Sequence, residues 1–367
     1  MSTVKTNNIL DASGGNTATI NSMTPTADSL QGFRNRIING DMRIDQRNGG
    51  ASVTPTTSAY TLDRWQVVLT QASKVSVQQN AGSVTPPTGF SNYLGITSLA
   101  ATSVGASDFF FVQQIVEGFN TSDFAFGSAS AATVTLSFWV RSSLTGTFGG
   151  ALYGASGTRS YAFTYTISAA NTWEQKTVTI AGSTSGTWLT NNGGGIQVIF
   201  GLGVGSSFSQ TAGSWQNTGN ISATGATSVV GTNGATFYIT GVQLEVGSVA
   251  TPFEREIYSN TLAKCQRYYQ IWSPPPGRGV SNSTTAINRI GWPLLVEMRI
   301  APTLVISGNI GWYDGTATGT ISSATAGYAT TKMAEFDATA SGVTAAGRPI
   351  VLYVGGSTGT ISVNAEL

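Results

Sequence analysis

Apolar and polar positions alternate through much of the middle of this chain. Leu136, Phe138 and Val140 are interleaved with Ser137, Trp139 and Arg141, and Ile196, Val198, Phe200 and Leu202 with Gln197, Ile199 and Gly201. Tyr161, Phe163, Tyr165 and Ile167 are likewise separated by small or polar residues. A period of two marks a strand with one buried face, and the Gly-, Ser- and Asn-rich breaks between such runs read as turns. The runs 176–180 and 237–244 add two further strands. Two long excursions, 182–195 and 206–234, decorate the loops of what reads as a two-layer β-sandwich.

Three distant segments fit one another within that pattern. Residues 35–42, 134–141 and 236–245 each read as a strand, and their spacing matches the first, central and last strands of one sandwich. In such a fold the first and last strands lie side by side and close the domain. The stretches around Asn39 and Val242 are therefore expected to be hydrogen-bonded neighbours.

The pattern changes outside these limits. Residues 1–32 are polar with isolated apolar positions at Ile9, Leu10, Ile20 and Leu30, which reads either as a disordered tail or as an N-terminal arm that orders against partner chains. The sandwich is expected over 33–255. Ser259 or Asn260 can cap a helix that places Leu262, Cys265, Tyr269 and Trp272 on one face, until the Pro-rich run at 274–277 stops it. That makes 256–277 a connecting helix and linker. Residues 278–367 read as a small C-terminal β domain, a second sandwich with strands at 292–298, 302–306, 350–354 and 360–363, the last two joined as a hairpin through 355–359.

Composition narrows the chemistry. Charged residues make up 10% of 367 against a usual ~25%, while 45 Gly, 8 Trp, 12 Tyr and 16 Phe indicate folded, turn-rich structure rather than disorder. A net charge of +1 without a basic cluster argues against capture of nucleic acid. The densest basic group, Arg34, Arg36, Arg43 and Arg47, is interrupted by Asp41 and Asp45 and reads as solvated loop charge with local ion pairs. One cysteine and no histidine remove an intrachain disulfide, the Ser-His-Asp and Cys-His arrangements and the usual zinc sites. Cys265 is expected to be a buried apolar residue. No run approaches the ~18 apolar residues of a membrane-crossing helix, so membrane insertion is not expected. The glycines at 193–195 lack the Lys-Ser/Thr of a phosphate loop.

These residues carry a resemblance. The segment 39–42 followed by Asp63-Arg64-Trp65, with 136–140, 172–178 and 237–245, resembles carbohydrate-binding modules with a galactose-binding-like jelly roll. The runs 38–47, 249–255 and 265–269, with 5–9 and 363–367, are similar to phage tail-fibre and related virion fibre proteins. The resemblance implies an all-β chain: a jelly-roll β-sandwich with an extended N-terminal arm, one short connecting helix and a small C-terminal β domain. It implies a structural, non-catalytic virion protein, often a homotrimer, assembled in the host cytoplasm and exposed on the released particle. Its partners would be other virion proteins, reached through the arm, and host-surface polysaccharide. Modules of this kind often hold a structural calcium through an acidic residue where Thr240 stands here, so no cofactor is expected even though Asp41 and Glu245 lie close by.

Sugar recognition sets aromatic faces against a pyranose and polar groups against its hydroxyls, in the manner of small-ligand pockets generally. The candidates are Trp139 and Arg141 on one strand face, Gln197 in another strand, and Trp188 and Trp215 in Gly- and Ser-rich loops. Ordinary packing is the competing reading for each tryptophan. Asp41 with Asp45, and Glu254 with Glu256, are the carboxylate pairs that a depolymerase would need, and their Arg-rich surroundings favour ion pairing instead. A purely structural adaptor or head decoration is the remaining alternative.

Overall fold

The computed structural model describes residues 33–155, 159–273, 277–340, 342–353 and 359–367. The arm expected over 1–32, the prolines at 274–276 and the turn at 355–358 lie outside the described residues. The chain divides into two compact units. One takes the residues up to Asp41, Thr54–Ala59 and Val67–Arg255; the other takes Met42–Val53, Tyr60–Gln66 and Glu256–Leu367.

The first unit is a β-sandwich. In chain order the strands of the sandwich are β1 (Ala59–Leu62) and β2 (Trp65–Leu69), both of which cross the division between the units, then β3 (Val75–Gln79), β4 (Leu94–Ser98), β5 (Phe109–Glu117), β6 (Val134–Ser142) and β7 (Gly146–Gly154). There follow β8 (Ser160–Ile167), β9 (Glu174–Ile180), β10 (Gly194–Val204), the two-residue strands β11 (Ser209–Gln210), β12 (Trp215–Gln216) and β13 (Ser222–Ala223), and β14 (Thr236–Val246). A seven-stranded sheet runs β1-β2-β5-β10-β7-β8-β12, and a five-stranded sheet runs β3-β4-β14-β6-β9. The strand pairs of these two sheets are antiparallel wherever their register is defined, as in β10 with β5 and β7, or β14 with β4 and β6.

The alternation in sequence sets the core. Leu136, Phe138 and Val140 of β6 are fully buried and meet the inward residues of the opposite sheet. Phe138 lies edge-on to Phe200 and to Tyr165, with ring centroids 4.9 and 5.0 Å apart, and Phe148 reaches Phe237 at 6.2 Å. Buried aromatic pairs of this geometry contribute about 0.5–1.5 kcal/mol each beyond the area they remove from water.

Residues 35–42 do close the sandwich against its last strand, but not as a strand. Asn39 and Met42 adopt positive φ of 58° and 59°, so the segment is coil and turn. Closure comes from individual bonds. Arg36 N donates to Leu244 O at 2.9 Å, Val242 N to Gly40 O at 3.0 Å, and Asn35 Nδ2 to Val242 O at 3.1 Å. Gln114, buried on β5, grips the same segment by accepting from Ile38 N and donating to Ile38 O, both at 2.8 Å. Gly40 is required here: a Cβ on it would lie 2.2 Å from Val242 O.

In the second unit α1 (Tyr258–Gln266) is the single α-helix among the described residues. Its cap position is Ile257, without a side-chain cap bond, rather than Ser259 or Asn260. Cys265 is buried as expected, but Tyr269 and Trp272 belong to β15 (Tyr269–Trp272), not to the helix. Next come β16 (Arg278–Ser281), β17 (Ala286–Pro293), β18 (Thr303–Ser307), β19 (Ile310–Tyr313), β20 (Thr318–Ala329), β21 (Met333–Ala340), β22 (Pro349–Tyr353) and β23 (Thr360–Asn364). The expected small sandwich is instead a closed barrel, β16-β17-β21-β20-β19-β22, with a separate sheet β15-β23-β18. Closure pairs every barrel strand on both sides and leaves no free edge. The expected hairpin does not form either: β22 pairs with β16 and β19, and β23 with β15 and β18. Ile287, Ile290, Trp292, Trp312 and Phe336 fill the core of this unit.

The four N-terminal arginines are not solvated loop charge. Arg36 is 9% exposed, pairs with Asp123 at 2.6 Å and lies over the Phe33 ring. Arg34 Nη1 donates to Thr251 Oγ1 at 2.8 Å, Arg43 Nη2 to Glu256 O at 2.7 Å, and Arg47 Nη2 to Glu366 Oε1 at 2.8 Å. Their partners lie far along the chain, as with Asp123 and Glu366 at separations of 87 and 319 positions.

Candidate functional site

Trp188, from the 182–193 loop, and Trp215, on β12, come together. Their ring centroids are 5.5 Å apart at 86°, and Phe126 completes an edge-to-face trio at 5.0 Å from Trp188 and 5.6 Å from Trp215. Trp215 stands opposite Tyr161 on β8, while its Nε1 donates 2.7 Å to the carbonyl of Ala181, just past the end of β9. The ring thus spans from the edge strand of one sheet to the edge strand of the other. Trp188 Nε1 donates to Ser185 O at 3.1 Å. Arg159 borders the trio, held by Ser183 Oγ at 2.8 Å and by Asn217.

A cleft of about 230 Å³ opens beside this trio, walled by Phe126 and Trp188 and rimmed by Thr121, Ser122, Ser128 and Thr190. The Ser122 and Ser128 hydroxyls donate to Phe119 O (3.3 Å) and Ala125 O (2.7 Å), which aims them while leaving acceptor capacity. Such a volume lies below the roughly 300 Å³ at which drug-sized sites begin, and suits one ring-sized ligand. Phe126 and Trp188, edge to face at 78°, supply the cleft's apolar side and the hydroxyls its polar side.

The other candidates lie elsewhere on the sandwich. Trp139 and Arg141 share the outer face of the five-stranded sheet, opposite Thr240 and Tyr238 of β14. Both are half-buried; Arg141 Nε donates to Asn171 O at 3.0 Å and its guanidinium lies 5.5 Å from the Tyr238 ring centroid. Gln197 sits on the outer face of the seven-stranded sheet, between Ile115 of β5 and Tyr153 of β7. The five residues therefore occupy three surfaces, and only Trp188 and Trp215 meet. Phe126 carried no signal in the sequence: its role exists only because β12 and the 182–193 loop fold over it.

The carboxylates considered for hydrolysis have structural work. Asp45 accepts from Asn48 N and Gly50 N at 3.0 and 2.7 Å, and Glu254 Oε2 from Arg34 N and Asn35 N at 2.9 and 2.7 Å. Glu256 forms an ion pair with Lys264. Where related modules hold calcium, both oxygens of Glu245 accept from Thr251, at 2.9 and 2.6 Å, and Thr240 Oγ1 donates to Asn92 O at 2.7 Å. Among the described residues no three acidic, Cys or His side chains gather as a metal site.

No family model matches the chain, and no curated protein matches it. Solved structures do align with part of it, all at low similarity. The enzymatically active domain of tailspike protein 4 of bacteriophage CBA120 aligns over 59% of this chain at 12% identity and TM-score 0.33; the aligned part is 22% of that chain, about a fifth of its length. A family 61 carbohydrate-binding module in complex with β-1,4-galactotriose aligns over 58% of this chain and 99% of its own at 12% identity and TM-score 0.31. The family 11 carbohydrate-binding module of Clostridium thermocellum, in complex with a mixed-linked tetrasaccharide, aligns over 53% and 97% at 10% identity and TM-score 0.28.

Proposed function

We propose that this chain is a non-catalytic fibre component of a phage particle whose sandwich holds a host-surface glycan in the cleft beside Phe126 and Trp188. The observation that carries the reading is the cleft itself: an aromatic wall, a hydroxyl rim and room for one sugar ring. The virion assignment rests on the sequence resemblance along the chain and on its low charge. Binding in so small a site is expected to be weak, near millimolar, or about −4 kcal/mol. Repetition of the site in a homotrimer, and around a particle, raises the effective affinity by ~10²–10⁴ without any new contact.

The test is to fill the cleft without touching the aromatic trio. Ser122 is exposed on the rim, so Ser122→Trp occupies the cavity while the sandwich core stays as it is. The variant should melt as the wild type does and lose binding on an array of uncharged bacterial surface glycans. Unchanged binding by Ser122→Trp, or no glycan bound by the wild type, would sink the proposal. One observation favours the second reading, a structural adaptor with no ligand. Both indole N–H groups are already satisfied by main-chain carbonyls, so packing alone accounts for the two tryptophans.

A further inference from the structure

The outer face of the five-stranded sheet carries a second arrangement, remote from the cleft and independent of the reading given to it. Along β14 and β6, Thr240 stands opposite Trp139 but Gln243 opposite Ser137, so Gly241 and Val242 are accommodated as a bulge. Gly241 has φ +62°, and a Cβ there would fall 2.7 Å from Phe90 Cζ and 3.1 Å from Trp139 Cδ1. Two half-buried rings from separate segments therefore converge over a position that only glycine fills without displacing them.

Arginines flank the rings. The Arg255 guanidinium is exposed and lies 4.9 Å from the Phe90 centroid and 5.8 Å from that of Phe253, whose ring in turn packs edge-on to Phe90 at 5.2 Å. Arg141, two residues from Trp139, lies over Tyr238 and spends only its Nε on Asn171 O. Among the described residues neither arginine has a carboxylate partner. Acids close to them are engaged elsewhere: Glu174, opposite Val140 on β9, with Ser168 N, Ala169 N and Lys176, Glu254 with the main chain of Arg34 and Asn35, and Glu256 with Lys264.

We infer that this face binds a carboxylate-bearing saccharide, a uronic-acid unit whose ring lies against Trp139 and Phe90 and whose carboxylate pairs with Arg255, assisted by Arg141. The aromatic rings beside each guanidinium restrict it, so less freedom is lost when its fork takes a bidentate carboxylate. A neutral sugar would use the rings and leave the charges idle. A simple polyanion would use the charges and leave the rings idle.

The full chain is titrated with trigalacturonate, with its neutral methyl ester and with citrate, binding being read by calorimetry and tryptophan fluorescence. Trigalacturonate should bind about tenfold more tightly than the ester, as a charge-assisted bidentate pair supplies, and should weaken as salt is raised. Arg255→Gln should abolish that preference, so that trigalacturonate binds no more tightly than the ester. Ser122→Trp should leave trigalacturonate binding unchanged, which separates this surface from the cleft. Equal affinity for acid and ester, no binding of either, citrate competing as well as the sugar acid, or wild-type behaviour of Arg255→Gln would each overturn the inference.

Discussion

Arg64 is buried to 1% exposure, at positive φ of 69°, with its guanidinium 3.5 Å from the Tyr268 ring centroid and its charge paired with Glu366. Taking charges out of water costs several kcal/mol per ion, and only close pairing and stacking offset it. Arg47, over Tyr269 at 3.8 Å, bonds the other oxygen of Glu366. Asp63, in the same unit, shows the cost left uncompensated. Burial pushes its carboxyl up from 3.8 to about 6, against the opposing pull of Arg47 and of two bonds donated by Gln46. An acid raised in this way is neutral in the folded chain and ionised in the unfolded chain between those two values. Its contribution to stability is therefore full below about pH 4 and is lost as pH rises through about 6, by about 3 kcal/mol for two pH units. Asp63→Asn lacks the titrating group, so the gap between its stability and that of the wild type should change between pH 4 and 6 and be constant above. Denaturant unfolding of both proteins across that range checks this, and parallel curves throughout would refute the assignment.

At the scale of elements, local pattern and tertiary context compete most openly at the two ends of the sandwich. The apolar spacing of Leu262, Cys265, Tyr269 and Trp272 suits a helix, yet the helix stops at Gln266 because Tyr269–Trp272 pairs with β23, Tyr269 opposite Asn364. A short apolar run does not distinguish the two states, and a distant partner decided it. The segment 35–42 shows the converse. Its neighbours were legible, but its backbone was not, since Asn39 and Met42 take left-handed φ to turn the chain past β14. Gly40→Ala should therefore destabilise the sandwich by about 2–3 kcal/mol, because the new methyl would meet the Val242 carbonyl at 2.2 Å and prise apart the bond on which closure depends. Urea unfolding measures this, and a neutral substitution would remove the closure argument.

For the whole molecule, the contacts run between units of sequence that are far apart. The second compact unit combines Met42–Val53 and Tyr60–Gln66 with everything after Arg255, so the chain must complete its last third before that unit can form. Cooperative formation from such distant segments is slow, because loop closure precedes the contacts that reward it. The proposed virion role adds a scale above the chain, where weak sites gain from repetition. Sedimentation or native mass spectrometry of the purified full chain should give about three times the 38.0 kDa chain mass. A stable monomer would remove the homotrimer's share of the avidity and leave only repetition around the particle.

By itself the sequence determined the all-β class, the two-layer arrangement and the burial of Leu136, Phe138 and Val140, because period-two alternation and turn chemistry are written locally. Only the tertiary structure decided that Trp188 and Trp215 meet over Phe126 while Trp139 and Gln197 lie on other faces. It alone turned 278–353 into a barrel, and gave the N-terminal arginines their partners. Each of these depends on which surfaces come to face one another once the sheets pair, and strand pairing across hundreds of residues leaves no mark in the pattern of any single segment.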